Sequence, residues 1–282
     1  MNKALRSFKT ATWLGWKIES NWTDPFLFTI YSIVKPLASA GILVIMYSII
    51  AQSDFTSPIF AYLYLGNAFY QYVGAVMSGL AWAIIDDREH YRTLKYIYVA
   101  PVLVPYYLLG RGVARFITTT FAVVVTIAFG VIFLKMPLNF AEVHWGLFIA
   151  TLFVGIAMLA TLGMLLAGIA MNTARHSDMI GEAVAGGLFL FSGAIFPLSV
   201  LPVAIRWIGY VLPISYWLEL MRRAMVGNVA AAFPTFSTLS NSQIMIILII
   251  MTFVFAVTSS LIFKRLDHRA RERGLIDQTT NY

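Results

Sequence analysis

The stretch Asp86–Pro101, DDREHYRTLKYIYVAP, puts three acids and three strong bases into its first ten residues and then turns apolar. Long hydrophobic runs stand on either side of it. A bilayer core about 30 Å thick is crossed by about 20 apolar residues in a helix, and ionised side chains are costly within it. A charged segment between two such walls therefore reads as the turn between two membrane spans.

The whole chain agrees with that reading. Its 282 residues are 60% hydrophobic and 12% charged, with a positive mean hydropathy, far from the balance of a soluble domain. The absence of cysteine excludes a disulfide framework, a thiolate metal site and a Cys nucleophile. His90, His144, His176 and His268 are scattered rather than set at metal-ligand spacing. The formal net charge of +7 marks membrane topology and does not imply nucleic acid.

Working outward, six spans are expected: Phe26–Ala51, Ile59–Ile85, Pro105–Leu134, Trp145–Met171, a fifth from Met179, and Gln243–Phe263. Before them, Lys3, Arg6, Lys9, Trp13 and Lys17 recur at three or four residues and share one helical face. Residues 1–24 thus read as a helix in the membrane interface, with Trp13, Trp16 and Trp22 at headgroup level. No short apolar core with a small-residue cleavage site follows those charges, which disfavours a signal peptide. After Phe263 the chain continues as a basic tail, KRLDHRARERG. No internal repeat or second domain is legible.

Lys and Arg concentrate on one side. With the N-terminus inside, the outer segments hold only Lys135, Arg206, Arg222 and Arg223, while the terminal segments and the charged turn hold most of the rest. The positive-inside rule then puts both termini and Asp86–Pro101 in the cytoplasm of a multi-pass plasma-membrane protein.

Within the charged turn, helical spacing brings Glu89 within reach of Arg92 and His90 within reach of Leu94, and it aligns Leu94, Ile97 and Tyr98 as an apolar stripe. A short amphipathic helix at the membrane surface is expected. The second distinctive stretch is Phe191–Met225, FSGAIFPLSVLPVAIRWIGYVLPISYWLELMRRAM. It stays hydrophobic but carries Pro197, Pro202 and Pro213, so broken or re-entrant helices are expected rather than one spanning helix.

These two stretches carry a family resemblance. REHYRTLKYIYVAP followed by Gly110-Arg111 resembles the cytoplasmic loop of type-2 ATP-binding-cassette (ABC) exporter permeases. The later run, with its Ser-Gly, Phe-Pro and Leu-Pro pairs, a Trp-containing helix, a further Pro and an acid followed by Arg, is similar to that family's signature. The loop departs from the family by carrying Arg92 before Thr93-Leu94 and Lys95 after it.

The resemblance implies an all-α membrane protein of six transmembrane helices, with an N-terminal interfacial helix and short re-entrant helices between spans five and six. It implies a coupling helix in residues 86–104, with Arg88, Glu89, Arg92, Thr93 and Leu94 meeting cytoplasmic ABC ATPase subunits. In residues 197–233 it implies outer re-entrant helices, with Pro197, Pro202 and Pro213 shaping an outer gate. A second permease copy, identical or paralogous, completes the assembly.

The energy source points the same way. No Gly-Lys dipeptide occurs, so the G-x-x-x-x-G-K-[ST] phosphate loop is absent. The chain is not itself an enzyme; it binds no cofactor, and ATP and Mg belong on the partner. An ion-coupled carrier or channel would need intramembrane acids or bases, and the spans offer only Lys35, beside Pro36, and Glu182. Lys35 reads either as snorkelling or as a contact for an anionic cargo group, and Glu182 as a partner for Arg175. A lipid-modifying enzyme would need converging acids, bases or metal ligands. The second span carries Tyr64, Asn67, Gln71, Ser78 and Trp82 at helical intervals, a polar and aromatic stripe that reads as helix packing or as part of a substrate pathway. The glycines at 186, 187 and 193 suit close helix approach, and the expected cargo is lipidic, amphipathic or lipid-linked, since aromatic-rich spans suit these alike.

Overall fold

The computed structural model describes residues 2–21, 25–50, 54–173, 177–227 and 236–278, and all the regular structure among them is helical. Helix α1 is Lys3–Asn21 and α2 is Pro25–Ile50. The second long helix, Pro58–His90, is continuous. It comprises α3 (Pro58–Tyr72), a π turn (Val73–Met77), α4 (Ser78–Ile85) and a second π turn (Asp86–His90). Then follow α5 (Leu94–Val99), α6 (Val104–Ile132), α7 (Trp145–Asn172), α8 (Ser177–Phe191), α9 (Val203–Val211), α10 (Pro213–Val226) and α11 (Asn241–Glu272).

The ends of these helices follow local chemistry. Ser57 caps α3 by accepting from the Ile59 amide, with Pro58 at the first helical position, where its missing N–H costs nothing. Ser240 and Gln243 form a reciprocal capping box at the start of α11. That helix runs nine residues beyond the expected end of the last span, carrying most of the basic tail as helix. Pairs at i and i+4, Asp267 with Arg271 and His268 with Glu272, support the extension.

Five helices among the described residues are long and apolar enough to cross a membrane: Ser32–Ile50, Pro58–His90, Val104–Ile132, Trp145–Asn172 and Asn241–Glu272. The expected fifth span is instead the 15-residue α8. At 1.5 Å per residue it is roughly 22 Å long, shorter than a bilayer core. It ends where Gly193 turns the chain with φ +73°.

Helix Pro58–His90 is the axis of the core. Phe60, Tyr64, Leu65, Phe69, Leu80 and Ile84 along it are fully buried, against α6, α7, α8 and α10. Helix α1 lies along the first turns of α6 through small residues. Ser7 accepts from the Leu103 amide, a Cβ on Gly110 would overlap Ala11 at 2.8 Å, and one on Gly15 would overlap Ala114 at 2.9 Å. The spacing Ser7, Ala11, Gly15 against Gly110, Ala114 is the small-residue pattern by which helices approach closely.

The prolines break Phe191–Met225 as expected. Pro197 precedes a single 3₁₀ turn, Leu198–Val200; Pro202 caps α9; Pro213 begins α10. Helix α10 is buried along nearly its whole length between α3, α7 and α11. The Trp217 indole donates to the Thr151 carbonyl, and the His144 amide donates to Ala224 near the other end of α10. Helix α10 therefore runs antiparallel to the start of α7. Its reach to Gly155, ten residues into α7, is roughly 15 Å.

Candidate functional site

At one end of the bundle, helix Pro58–His90 closes with its π turn and the chain bends sharply. Tyr91, Arg92 and Thr93 separate it from α5, and Arg92 sits in the left-handed region at φ +52°. This elbow is held from beneath by charged residues that are themselves buried. Asp87, 2% exposed, accepts from Arg111 (3.0 Å) and from the Tyr107 hydroxyl (2.8 Å), both on α6. Arg88, equally buried, donates to the carbonyls of Ala170 and Thr173 (3.1 Å each) and to Glu89 (2.9 Å). The last carbonyls of a helix have no partner within it and carry partial negative charge. Arg88 thus caps α7 from another helix.

The far side of the elbow is fixed to α11 and to the segment that follows it. Tyr98 donates to Asp267, Lys95 pairs with Asp277 at 3.0 Å, and burial together with the Asp267 carboxylate pushes the Tyr98 phenol well above its ordinary pKa. A cleft of about 200 Å³ lies here, lined by Arg88, Arg92, Leu94, Lys95, Ile276 and Asp277. Below the elbow, Arg115 of α6 pairs with Glu19 of α1 at 2.8 Å. Burial raises the Glu19 pKa, with Arg115 and Arg111 drawing it back down.

The apolar stripe of α5 faces inward as its spacing required: Leu94 is buried and Ile97 and Tyr98 are half-buried. What faces outward is a ridge of Tyr91, Arg92, Thr93, Lys95, Tyr96 and Val99, the last 87% exposed. The expected side-chain partners differ. Glu89 pairs with Arg88 and His90 with Asp86, because the helix ends at His90 and the left-handed Arg92 breaks the phase that would have brought Glu89 to Arg92 and His90 to Leu94. Of the five residues expected to meet a partner, Arg92 and Thr93 are exposed and Arg88 and Leu94 are buried, while Glu89 is half-buried.

The opposite end holds a second buried network. Glu219 accepts from Arg223 (2.9 Å) and from the Tyr62 hydroxyl (2.9 Å). Arg223 also donates to the Phe236 and Leu239 carbonyls (2.7 Å each). Arg222 stacks on the Tyr62 ring at 3.9 Å and donates to the Gly193 and Ala194 carbonyls in the turn after α8. A Cβ on Gly66 would overlap that guanidinium and the Ala194 carbonyl. Expected as outer-loop charges, Arg222 and Arg223 are core groups. Of the three prolines, Pro197 and Pro213 are buried and Pro202 is exposed.

The polar stripe of the second long helix divides between two neighbours. Tyr64 and Gln71 bond to Thr126 of α6, whereas Ser78 bonds to the Gly181 carbonyl of α8. The π turn between Gln71 and Ser78 adds a residue to the helix and shifts its phase, which a constant helical interval misses. Asn67 is buried with its amide nitrogen unpartnered, and Trp82 is half-buried. Lys35 is exposed on α2, which continues through Pro36, and Glu182 is exposed on α8. The expected Glu182 partner, Arg175, and the expected anchor Trp22 lie outside the described residues.

Spacing along the sequence does not single out Asp87, Tyr107, Arg111, Tyr62 or Glu219 as buried partners. Their signal was charge or hydroxyl inside or beside an apolar run, with partners far away in the chain. The family model described as ABC-2 type transporter matches residues 6–226. No curated protein matches the chain.

Proposed function

Since the chain belongs to the ABC-2 type transporter family and is a multi-pass membrane permease, we propose that it forms the membrane half of an ATP-driven exporter for a lipidic, amphipathic or lipid-linked cargo. ATP and Mg are handled by separate cytoplasmic ABC ATPase subunits, and a second permease copy completes the translocation path across the plasma membrane. Both termini are cytoplasmic. Gly186 and Gly187 of α8 face open space, which suits close approach of the second copy.

One observation carries this reading: an exposed ridge stands on a base bonded into three long helices. A partner gripping Tyr91, Arg92, Thr93, Tyr96 and Val99 would pull on α6 through Asp87–Arg111, on α7 through Arg88, and on α11 through Tyr98–Asp267. Charge-assisted hydrogen bonds in a low-dielectric interior are stiff enough to carry such a displacement. ATPase closure would then shift the bundle between closed and open populations. We assign Arg88, Glu89, Arg92, Thr93 and Leu94 to this coupling.

Toward the outside, α8 is too short to complete a crossing as a straight helix, and we propose that α9 and α10 re-enter beside it to make the sixth span. Pro197, Pro202 and Pro213 set the breaks between these pieces and so shape the outer gate. Tyr64, Asn67, Gln71, Ser78, Trp82 and the exposed Lys35 are the proposed pathway residues.

Purification of the chain from its own cells, with identification of the bound protein, tests the assembly: an ABC ATPase is expected. In reconstituted vesicles, Glu89→Gln and Arg92→Ala are expected to insert normally, retain ATP hydrolysis and lose coupled transport. ATP-independent flux through vesicles holding this chain alone would replace the proposal with a carrier or channel.

A further inference from the structure

Lys35 on α2 and Glu182 on α8 carry opposite charges on helix faces that the chain itself leaves uncovered. Both side chains are exposed, and among the described residues neither takes part in an ion pair or a hydrogen bond. Deep charges elsewhere are treated differently: Asp87 with Arg111 and Glu219 with Arg223 are paired inside the fold. The surroundings of the two exposed charges are apolar, with Val34 and Ile42 beside Lys35 and Met179 and Leu190 along the Glu182 side of α8. Small residues adjoin each charge. Ala38 and Ser39 are exposed one turn beyond Lys35, and Ala183, Gly186 and Gly187 are exposed next to Glu182 and one turn beyond it.

The two charges also stand at one depth. Tyr47 of α2 packs on Phe60 near the start of helix Pro58–His90, and Phe55 in the turn between them touches both rings, so the two helices run antiparallel from that point. Lys35, twelve residues before Tyr47, therefore lies about 18 Å along, level with Tyr72. On the other flank, Tyr70 and Ser78 donate to the Ala185 and Gly181 carbonyls of α8, which sets Glu182 between the levels of those two residues. Tyr70–Ser78 is the middle of helix Pro58–His90. An ionised side chain at mid-span is costly against lipid and calls for a polar partner.

We propose that Lys35 of one copy pairs with Glu182 of a second, identical copy, and Glu182 with that copy's Lys35, across a two-fold interface made by the free faces of α2 and α8. The inference rests on the two-copy assembly proposed above and names the contact that sets its register. A two-fold axis makes such contacts reciprocal, so one acid and one base at the same depth of one chain are a self-complementary set. A partner of different sequence has to supply both charges at that depth, whereas a second copy already carries them. The small residues beside each charge let the helices approach closely enough for the pair to form. Lys35 then borders the translocation path by closing it between the copies.

A charge exchange between chains tests this. The full-length variants Lys35→Glu and Glu182→Lys, carrying different affinity tags, are produced separately and together, and dimers captured by one tag are counted by the other, with neither ATPase nor cargo present. Alone, each variant sets like charges against each other at both contacts and is expected to lose at least about ten-fold in dimer relative to the parent. In a mixed dimer each introduced charge meets its opposite, so mixed dimers are expected to exceed same-type dimers by at least about ten-fold. A partner for Glu182 within its own chain produces no such excess, because mixing leaves contacts inside a chain unchanged. Where a reversed charge blocks insertion, Lys35→Gln and Glu182→Gln carry no repulsion: each is expected to weaken the dimer, and the double variant to add little to either. Mixed and same-type dimers in statistical proportion, or additive losses in the Gln series, overturn the proposal. A monomeric parent removes the two-copy assembly with it, whereas a dimeric parent that ignores both charges leaves that assembly standing.

Discussion

Asp87 and Arg111 pair at 3.0 Å across two helices, with both side chains almost wholly hidden from solvent. They are 24 residues apart in the chain, and Tyr107 donates to the same carboxylate. The pair fastens the end of helix Pro58–His90 to α6, directly beneath the segment we propose to meet the ATPase.

Removing one member should cost more than removing both. Asp87→Ala strands a buried guanidinium and is expected to lower stability by about 3–5 kcal/mol. Asp87→Ala combined with Arg111→Met removes the stranded charge and should recover a large part of that loss. Thermal unfolding of the four proteins in one detergent, treated as a double-mutant cycle, checks this. An additive pair would contradict the coupling.

Arg88 tests the cap on α7. Arg88→Lys keeps a positive charge but cannot span Ala170, Thr173 and Glu89 together, because a point-like ammonium lacks the planar fork. A loss of about 1.5–3 kcal/mol is expected. Hydrogen exchange should locate it at the last turn of α7, residues 169–173, rather than spread through the bundle.

Gly66 and Gly74 make a matched comparison on one helix. An Ala at 66 would run into Arg222 and the Ala194 carbonyl, whereas an Ala at 74 meets nothing within 4 Å. Gly66→Ala is therefore expected to destabilise by about 1–3 kcal/mol. Gly74→Ala should be neutral or slightly stabilising, since Ala is the better helix former by up to about 1 kcal/mol. Melting temperatures in detergent separate the two.

Arg92 separates folding from coupling. Its left-handed backbone costs a non-glycine residue about 1–2 kcal/mol, so Arg92→Gly should hold or raise stability. Because the side chain stands on the exposed ridge, the same variant is expected to lose coupled transport. Retained coupling with raised stability would remove Arg92 from the contact with the ATPase.

Much of the architecture was legible before any coordinates. The apolar runs gave the long helices to within a few residues at most ends, and Pro197, Pro202 and Pro213 stand where the chain breaks. The inward stripe of Leu94, Ile97 and Tyr98 followed from spacing alone. The elbow's internal contacts did not follow, because the helix ends at His90 and Arg92 turns left-handed, so Glu89 finds its neighbour Arg88. Nor did the division of the polar stripe, since the π turn at Val73–Met77 adds a residue to the count.

By itself the sequence determined which segments are lipid-compatible, where helices must stop, and that charge gathers between the second and third long helices. Those are local properties, fixed by transfer free energy and backbone sterics over a few turns. The tertiary structure alone decided how the buried charges survive: Arg88 on the end of α7, Arg222 on the turn after α8, and Glu219 between Tyr62 and Arg223. A buried polar group is tolerable only beside its partner, and in this chain most of those partners come from another helix.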